Sequence, residues 1–240
     1  MILLPSMVMK NKMLDLNKSL NFSYNLNIES AYIITVKGNS TSEKLSARCA
    51  ASCGNVGMPY KIFEAVDGTS GLLKVPPSLE TCTYLTWLKK VDPHLSISEV
   101  ACALSHFALW CHCIEIDQPI VILEHDAVMA RAYKTHDVYN AIAYLGCDEQ
   151  MRGWSVLPIP PHGTNGPNYH FMLRAHAYAI DPAVAKNMVA HLIKYGIHES
   201  LDIMLRADIF PIVQTGWFAY EVVGETIITD RKKTPDGQER

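Results

Sequence analysis

The chain has 240 residues, 49% of them hydrophobic and 19% charged, with a net charge of −3. That length can bury one large core, and the composition is that of a globular protein rather than a disordered one. The mildly acidic balance leaves no electrostatic footprint for nucleic acid. No apolar stretch is expected to reach the ~20 residues that span a bilayer, so no transmembrane segment is expected. Met1–Pro5 is apolar but lacks the basic start and the length of a signal peptide. The seven cysteines are odd in number and scattered through apolar sequence, which suits reduced thiols and a cytoplasmic setting.

Residues 1–28 are rich in Asn and Met without periodicity and read as an extended or poorly ordered lead-in. A single domain is expected over 29–230, followed by a polar tail over 231–240. Ala31–Val36 is a predicted strand, rich in β-branched and aromatic residues. Ser40-Thr-Ser-Glu43 fits a capping box for a helix that buries Leu45, Cys49, Ala50 and Cys53, closed by Gly54 and Gly57. Tyr60–Val66 supplies a second strand, and the three elements make a βαβ unit. No G-x-G-x-x-G or P-loop text is present. Residues 69–95 hold Pro76, Pro77 and Pro93 and read as a loop-rich excursion over a site.

Ser96-Ile-Ser-Glu99 is a second capping box, and apolar residues from Ile97 to Ile114 predict a long helix ended by Asp117 to Pro119. Further on, 133–145 reads as helix, Trp154–Leu157 as strand, Pro158–Asn168 as loop and Leu173–Ile180 as strand. Asp181-Pro182 starts a helix that Gly196 stops. Ser200–Ala207 reads as a short helix and Ile212–Thr229 as strand. Cys111-His112-Cys113 and the pair Cys102/His106 lack the C-x-x-C spacing of a structural zinc site, so they read as buried free thiols.

The most informative segment is Pro119-Ile-Val-Ile-Leu-Glu-His-Asp-Ala-Val-Met129. Ile120–Leu123 is an apolar run of the kind buried on both faces of a parallel sheet. It stops at Glu124, His125 and Asp126, and ligands of open α/β sheets bind beyond the carboxyl ends of such strands. On an extended strand, Glu124 and Asp126 share a face, and oxygen ligands of this kind suit Mg²⁺ or Mn²⁺. Asp67, at the end of the second strand, is a candidate for ribose or uracil, although Asp-Gly is also an ordinary turn pair. Ser105 and His106 lie on the long helix just before the acidic strand, where a buried structural hydrogen bond is the plain alternative.

Four segments, in order, resemble glycosyltransferase family 25, which includes lipopolysaccharide and collagen-type galactosyltransferases. They are Tyr32-Ile-Ile-Thr-Val36, Phe63-Glu-Ala-Val-Asp-Gly68, Glu99-Val-Ala-Cys-Ala-Leu-Ser-His106 running on to Trp110, and Val121-Ile-Leu-Glu-His-Asp-Ala127. The last three are similar to the family's f-x-A-v-D-G, E-i-G-C-a-L-S-H and l-I-L-E-D-D-A. This chain departs from the family in three places. Lys37-Gly-Asn-Ser-Thr-Ser42 replaces an arginine-rich loop, Ala101 stands for Gly, and His125 replaces the middle acid while Glu124 and Asp126 keep an acid-x-acid pattern.

The resemblance implies a GT-A-type nucleotide-binding α/β sandwich, with a mostly parallel central sheet flanked by helices. It implies Mn²⁺ or Mg²⁺, and a UDP-sugar donor whose hexose, galactose or glucose, passes with inversion to a hydroxyl acceptor. The acceptor is a glycan, a protein or a small sugar. Nucleotide-sugar contacts fall to Thr35, Val36, Asp67, Ser105, His106, Glu124 and His125. The metal falls to Asp126 and Glu124, with His198, a water or nothing as third ligand. Asp202 is the matched candidate for the catalytic base, and Glu199 is its rival. Two other classes stay open: a nucleotide-sugar-binding or degenerate protein with weak transfer, and a nucleotide-sugar hydrolase or nucleotidyltransferase.

Overall fold

A computed structural model describes residues 27–80, 88, 90–148, 172 and 175–222. The first strand, β1 (Ala31–Thr35), is followed by α1 (Ser40–Val56), β2 (Tyr60–Glu64), a short α2 (Pro77–Glu80) and the long α3 (Ile97–Ile116). Then come β3 (Ile120–Glu124), β4 (Ala127–Met129), β5 (Ile142–Asp148), β6 (Ala177–Ile180), α4 (Pro182–Tyr195), α5 (Leu201–Met204) and β7 (Ile212–Glu221). The predicted lead-in, the tail and the readings over 154–168 lie outside the described residues, apart from residues 27 and 28.

The strands form one seven-stranded sheet in the order β2-β1-β3-β6-β5-β7-β4. β1 pairs in parallel with β2 and β3, and β5 with β7, while β3–β6, β5–β6 and β4–β7 are antiparallel. The sheet is therefore mixed, and its parallel part is concentrated around β2-β1-β3. Side-chain alternation along each strand sorts the core into two layers. Tyr32, Ile34, Ile120, Ile122, Tyr178 and Ile180 pack on the side of α3, α4 and α5, against Phe107, Trp110, Val184, Met188 and Leu201. Ala31, Ile33, Val121, Leu123, Ala177 and Ala179 face the other way, onto Cys49 and Cys53 of α1. Helices thus cover both faces of the sheet, as in an α/β sandwich.

Several local readings are corrected. α1 is capped by Asn39, whose side chain accepts from the Ser42 amide, while Glu43 accepts from the Gly38 amide, so the Ser40 capping box does not form. Gly54 lies inside this helix, and Gly57 alone, at φ 67°, takes the left-handed closing position. Residues 133–145 are not helical: a loop leads to Asn140 at φ 53°, and Ile142 then starts β5. The run Ala141–Cys147 is apolar at nearly every position, so periodicity cannot separate a helix from a strand buried on both faces. The second strand ends at Glu64, two residues early, and the helix expected over Ser200–Ala207 shortens to Leu201–Met204.

α3 starts from the capping box that Ser96 and Glu99 make with each other's backbone amides. It ends at Asp117, at φ 50°. Contrary to the expectation from sequence, this helix is long and apolar enough to cross a membrane by length and composition, yet 67% of its most apolar stretch is buried inside the fold. Its apolarity serves the core between the sheet and α4.

Gly68 shows how tightly the exit of β2 meets this helix. A Cβ there would lie 2.7 Å from the Ile97 carbonyl oxygen and 2.9 Å from the Ala101 Cβ. Because the obstacle is backbone, Gly68→Ala must push α3 away. It is expected to destabilise the fold by about 1–3 kcal/mol. At roughly 2–4 °C per kcal/mol for a domain of this size, a thermal melt reads the effect directly.

Candidate active site

The carboxyl ends of β1, β2 and β3 lie side by side, and the first turns of α3 pass over them. Between them lies a cleft whose lining includes Val36, Val66, Ser105, His106, Glu124, His125 and Asp126. Open α/β sheets bind their ligands at this edge. Glu124 closes β3, and His125 and Asp126 form a turn before β4. The chain is therefore not extended through the acidic segment, and the two carboxylates reach the same cleft by a turn rather than by strand alternation.

That turn is held from α1. The Val36 amide donates to Ser42 Oγ at 2.9 Å, and the same hydroxyl lies 3.3 Å from His125 Nδ1. Burial, with help from Arg48, pushes His125 down to about 4, so its ring is neutral near pH 7. Arg48 also donates to the Asp126 carbonyl oxygen at 3.2 Å. Asp126 itself is 5% exposed. Ser42 and Arg48 carried no signal in the sequence, because they meet His125 and Asp126 only through the packing of α1 on the sheet.

Glu124 Oε1 lies 3.3 Å from His106 Nε2 and 3.9 Å from Cys102 Sγ. The histidine contact is near enough for attraction, but its N–H is not aligned for a full hydrogen bond. Burial pushes His106 down to about 3, against the opposing charge of Asp202. Burial also pushes the Cys102 thiol well up, with Glu124 adding to it. Among the described residues, Cys102, His106 and Glu124 are the cluster close enough to hold a metal, with ligand atoms within 4.8 Å of one another. The spacing of Cys102 and His106, one helical turn apart, was the available signal. Glu124 joins them only through the fold.

The remaining predicted residues are spread differently. Thr35 turns away from the cleft toward α1, its hydroxyl 2.7 Å from that of Ser46. Ser105 lines the cleft, but its hydroxyl accepts from the Val66 amide at 2.9 Å and donates to the Ala101 carbonyl at 2.8 Å. Asp67 accepts from the amide and hydroxyl of Thr69 and faces Lys74 at 3.8 Å, so its carboxylate braces its own turn. Asp202 accepts from the Ala175 amide at 3.1 Å and sits close enough to act on the charge of His106 and Cys102. Glu199 is half-buried just before α5. The His198 ring pairs with the Gly196 carbonyl at 3.1 Å and lies beside His191, and neither it nor Asp126 belongs to the metal-capable cluster of Cys102, His106 and Glu124 among the described residues.

The two neutral histidines set a pH dependence. Both have folded values below the ordinary histidine value of about 6.5, so on acidification the unfolded chain takes up the protons first. Their contribution to stability is complete above about pH 6.5 and is lost as the pH falls toward 4 and then 3. Each contributes a slope of about 1.4 kcal/mol per pH unit across its window. Chemical denaturation between pH 7 and pH 4 should show stability falling steadily, and His125→Gln should flatten the curve.

A helix-covered sheet with a carboxylate-bearing cleft at the ends of its parallel strands defines an α/β protein compatible with the GT-A-type sandwich. The family model of glycosyltransferase family 25 (LPS biosynthesis protein) matches residues 28–145, the segment that builds this cleft. Residues 28–145 thus match that family's model, and the family implies glycosyltransferase activity. Asp202, Glu199 and His198 lie beyond the matched segment. No curated protein matches the chain.

Proposed function

We propose that this protein transfers a hexose, galactose or glucose, from a UDP-sugar to a hydroxyl acceptor with inversion, in the presence of Mn²⁺ or Mg²⁺. The observation that carries the reading is the convergence of Glu124, His125 and Asp126 on one cleft at the ends of three strands. Two carboxylates are an oxygen donor set that fits Mn²⁺ or Mg²⁺. Asp126 and Glu124 would hold the ion, which when bound neutralises charge on the leaving diphosphate. The apolar walls from Ile34, Val36, Ala65 and Val66 offer a dry surface to the base and ribose. His125, being neutral near pH 7, faces the nucleotide without adding negative charge.

In the transfer itself, an acceptor oxygen bonds to the sugar carbon as the diphosphate departs from the opposite face, which inverts that centre. Asp202 takes the acceptor's proton. The acceptor is a glycan, a protein or a small sugar, and the free thiols of Cys49, Cys53, Cys102, Cys111 and Cys113 support a reducing, cytoplasmic setting. A second reading, nucleotide-sugar binding with weak turnover, draws support from the neutral His125, which leaves two acids in place of the family's three. Calorimetry with UDP tests the donor site. Affinity should rise at least about tenfold, or ~1.4 kcal/mol, when EDTA is replaced by Mn²⁺. Equal affinity in both would remove the metal from the account.

A further inference from the structure

Trp110, Tyr178 and His106 form a buried chain of polar atoms that ends at Glu124. The Trp110 Nε1 lies 2.9 Å from the Tyr178 hydroxyl, and that hydroxyl lies 2.7 Å from His106 Nδ1. On the other side of the ring, His106 Nε2 is 3.3 Å from Glu124 Oε1. Trp110, Tyr178 and His106 are each 0% exposed, so water does not complete the count of donors and acceptors.

The direction of every bond follows from that count. An indole N–H can only donate, so the Tyr178 oxygen accepts from Trp110. Burial pushes the Tyr178 phenol well up, so it keeps its own proton. Among the described residues, the partner left for that proton is His106 Nδ1, which is then the acceptor. A neutral imidazole with an acceptor at Nδ1 carries its proton on Nε2. The opposite tautomer would leave the Tyr178 proton without a partner in the core, at a cost of roughly 1–3 kcal/mol.

We infer that Tyr178, anchored by Trp110, is a positioning residue that fixes the tautomer of His106 and so presents an N–H rather than a lone pair 3.3 Å from the Glu124 carboxylate in the cleft. The inference rests on the reading of Glu124 as part of the donor and metal site. Glu124 is the exposed end of the chain, with 27% of its side chain exposed against 1% for His106. A carboxylate facing an N–H is held, whereas one facing a ring lone pair is repelled and turns away. The same accounting argues against ligation of a metal by His106 Nε2 together with Cys102, because that nitrogen already bears the proton.

Long-range ¹H–¹⁵N spectroscopy of labelled full-length protein reads the tautomer without any assay of turnover. Wild type should show His106 protonated at Nε2. Tyr178→Phe, which keeps the ring and loses the hydroxyl, should lose that preference and shift the Glu124 carboxyl ¹³C resonance. Its Mn²⁺-dependent UDP affinity should fall roughly tenfold, as for outer-shell partners of metal ligands. His106→Gln, which retains an amide N–H, should keep more of that affinity than His106→Leu. If wild type is instead protonated at Nδ1, or if Tyr178→Phe leaves both the His106 and Glu124 resonances unchanged, the inference is overturned. If the resonances behave as expected while wild type shows no metal-dependent UDP binding, the relay stands and the donor-site reading fails on its own.

Discussion

Asp126→Ala should abolish the metal-dependent part of UDP binding while the fold survives. Asp126 lines the cleft beside Glu124 and His125 and is 5% exposed, so its carboxylate is committed to that space. Arg48 bonds the main-chain carbonyl of residue 126, and alanine keeps that carbonyl. The turn therefore keeps its tie to α1 when the side chain is removed. In calorimetry the variant's affinity in Mn²⁺ should drop to the EDTA value of wild type, with a melting curve close to wild type. A variant that still gains affinity from Mn²⁺ would show that the ion is held elsewhere.

Asp202→Asn should lower transfer by about 10²- to 10⁴-fold, the range a positioned general base supplies. The carboxylate sits where α5 packs on α3, near enough to oppose the loss of a proton from His106. Its Oδ1 accepts the Ala175 amide, a bond that asparagine can keep, so the variant removes the base without freeing the loop. Donor binding should hardly change. Glu199→Gln is the control and should be mild. Single-turnover rates on both variants check this. The base moves to Glu199 if the pattern is reversed, and lies outside both residues if neither variant slows.

What could be read from the sequence was local. Ser96 and Glu99 cap α3 through contacts three residues apart, and Ile120–Leu123 carries its own burial in its apolarity. Both formed where expected, and with them the position of Glu124, His125 and Asp126 at a strand end. β5 was misread because Ala141–Cys147 is apolar on both faces, and its strand state comes from pairing with β6 and β7. Strand parity decided Thr35: Ile34 and Val36 reach the cleft, and the residue between them faces α1. The partners of the acidic turn were invisible because they are distant in sequence. Ser42 meets His125 across 83 residues, and Tyr178 meets His106 across 72. Such contacts exist only once α1 and α3 have closed on opposite faces of the sheet.

The central claim is sugar transfer at this cleft, and acceptor-dependent release of UDP tests it most directly. Wild-type protein would be incubated with a panel of UDP-hexoses, with and without Mn²⁺ and with and without hydroxyl acceptors of the three classes proposed. The account predicts UDP release that requires both the ion and an acceptor, highest with UDP-galactose or UDP-glucose. Release that proceeds equally without any acceptor would make the protein a nucleotide-sugar hydrolase. Tight UDP-sugar binding with no release under any condition would contradict transfer altogether.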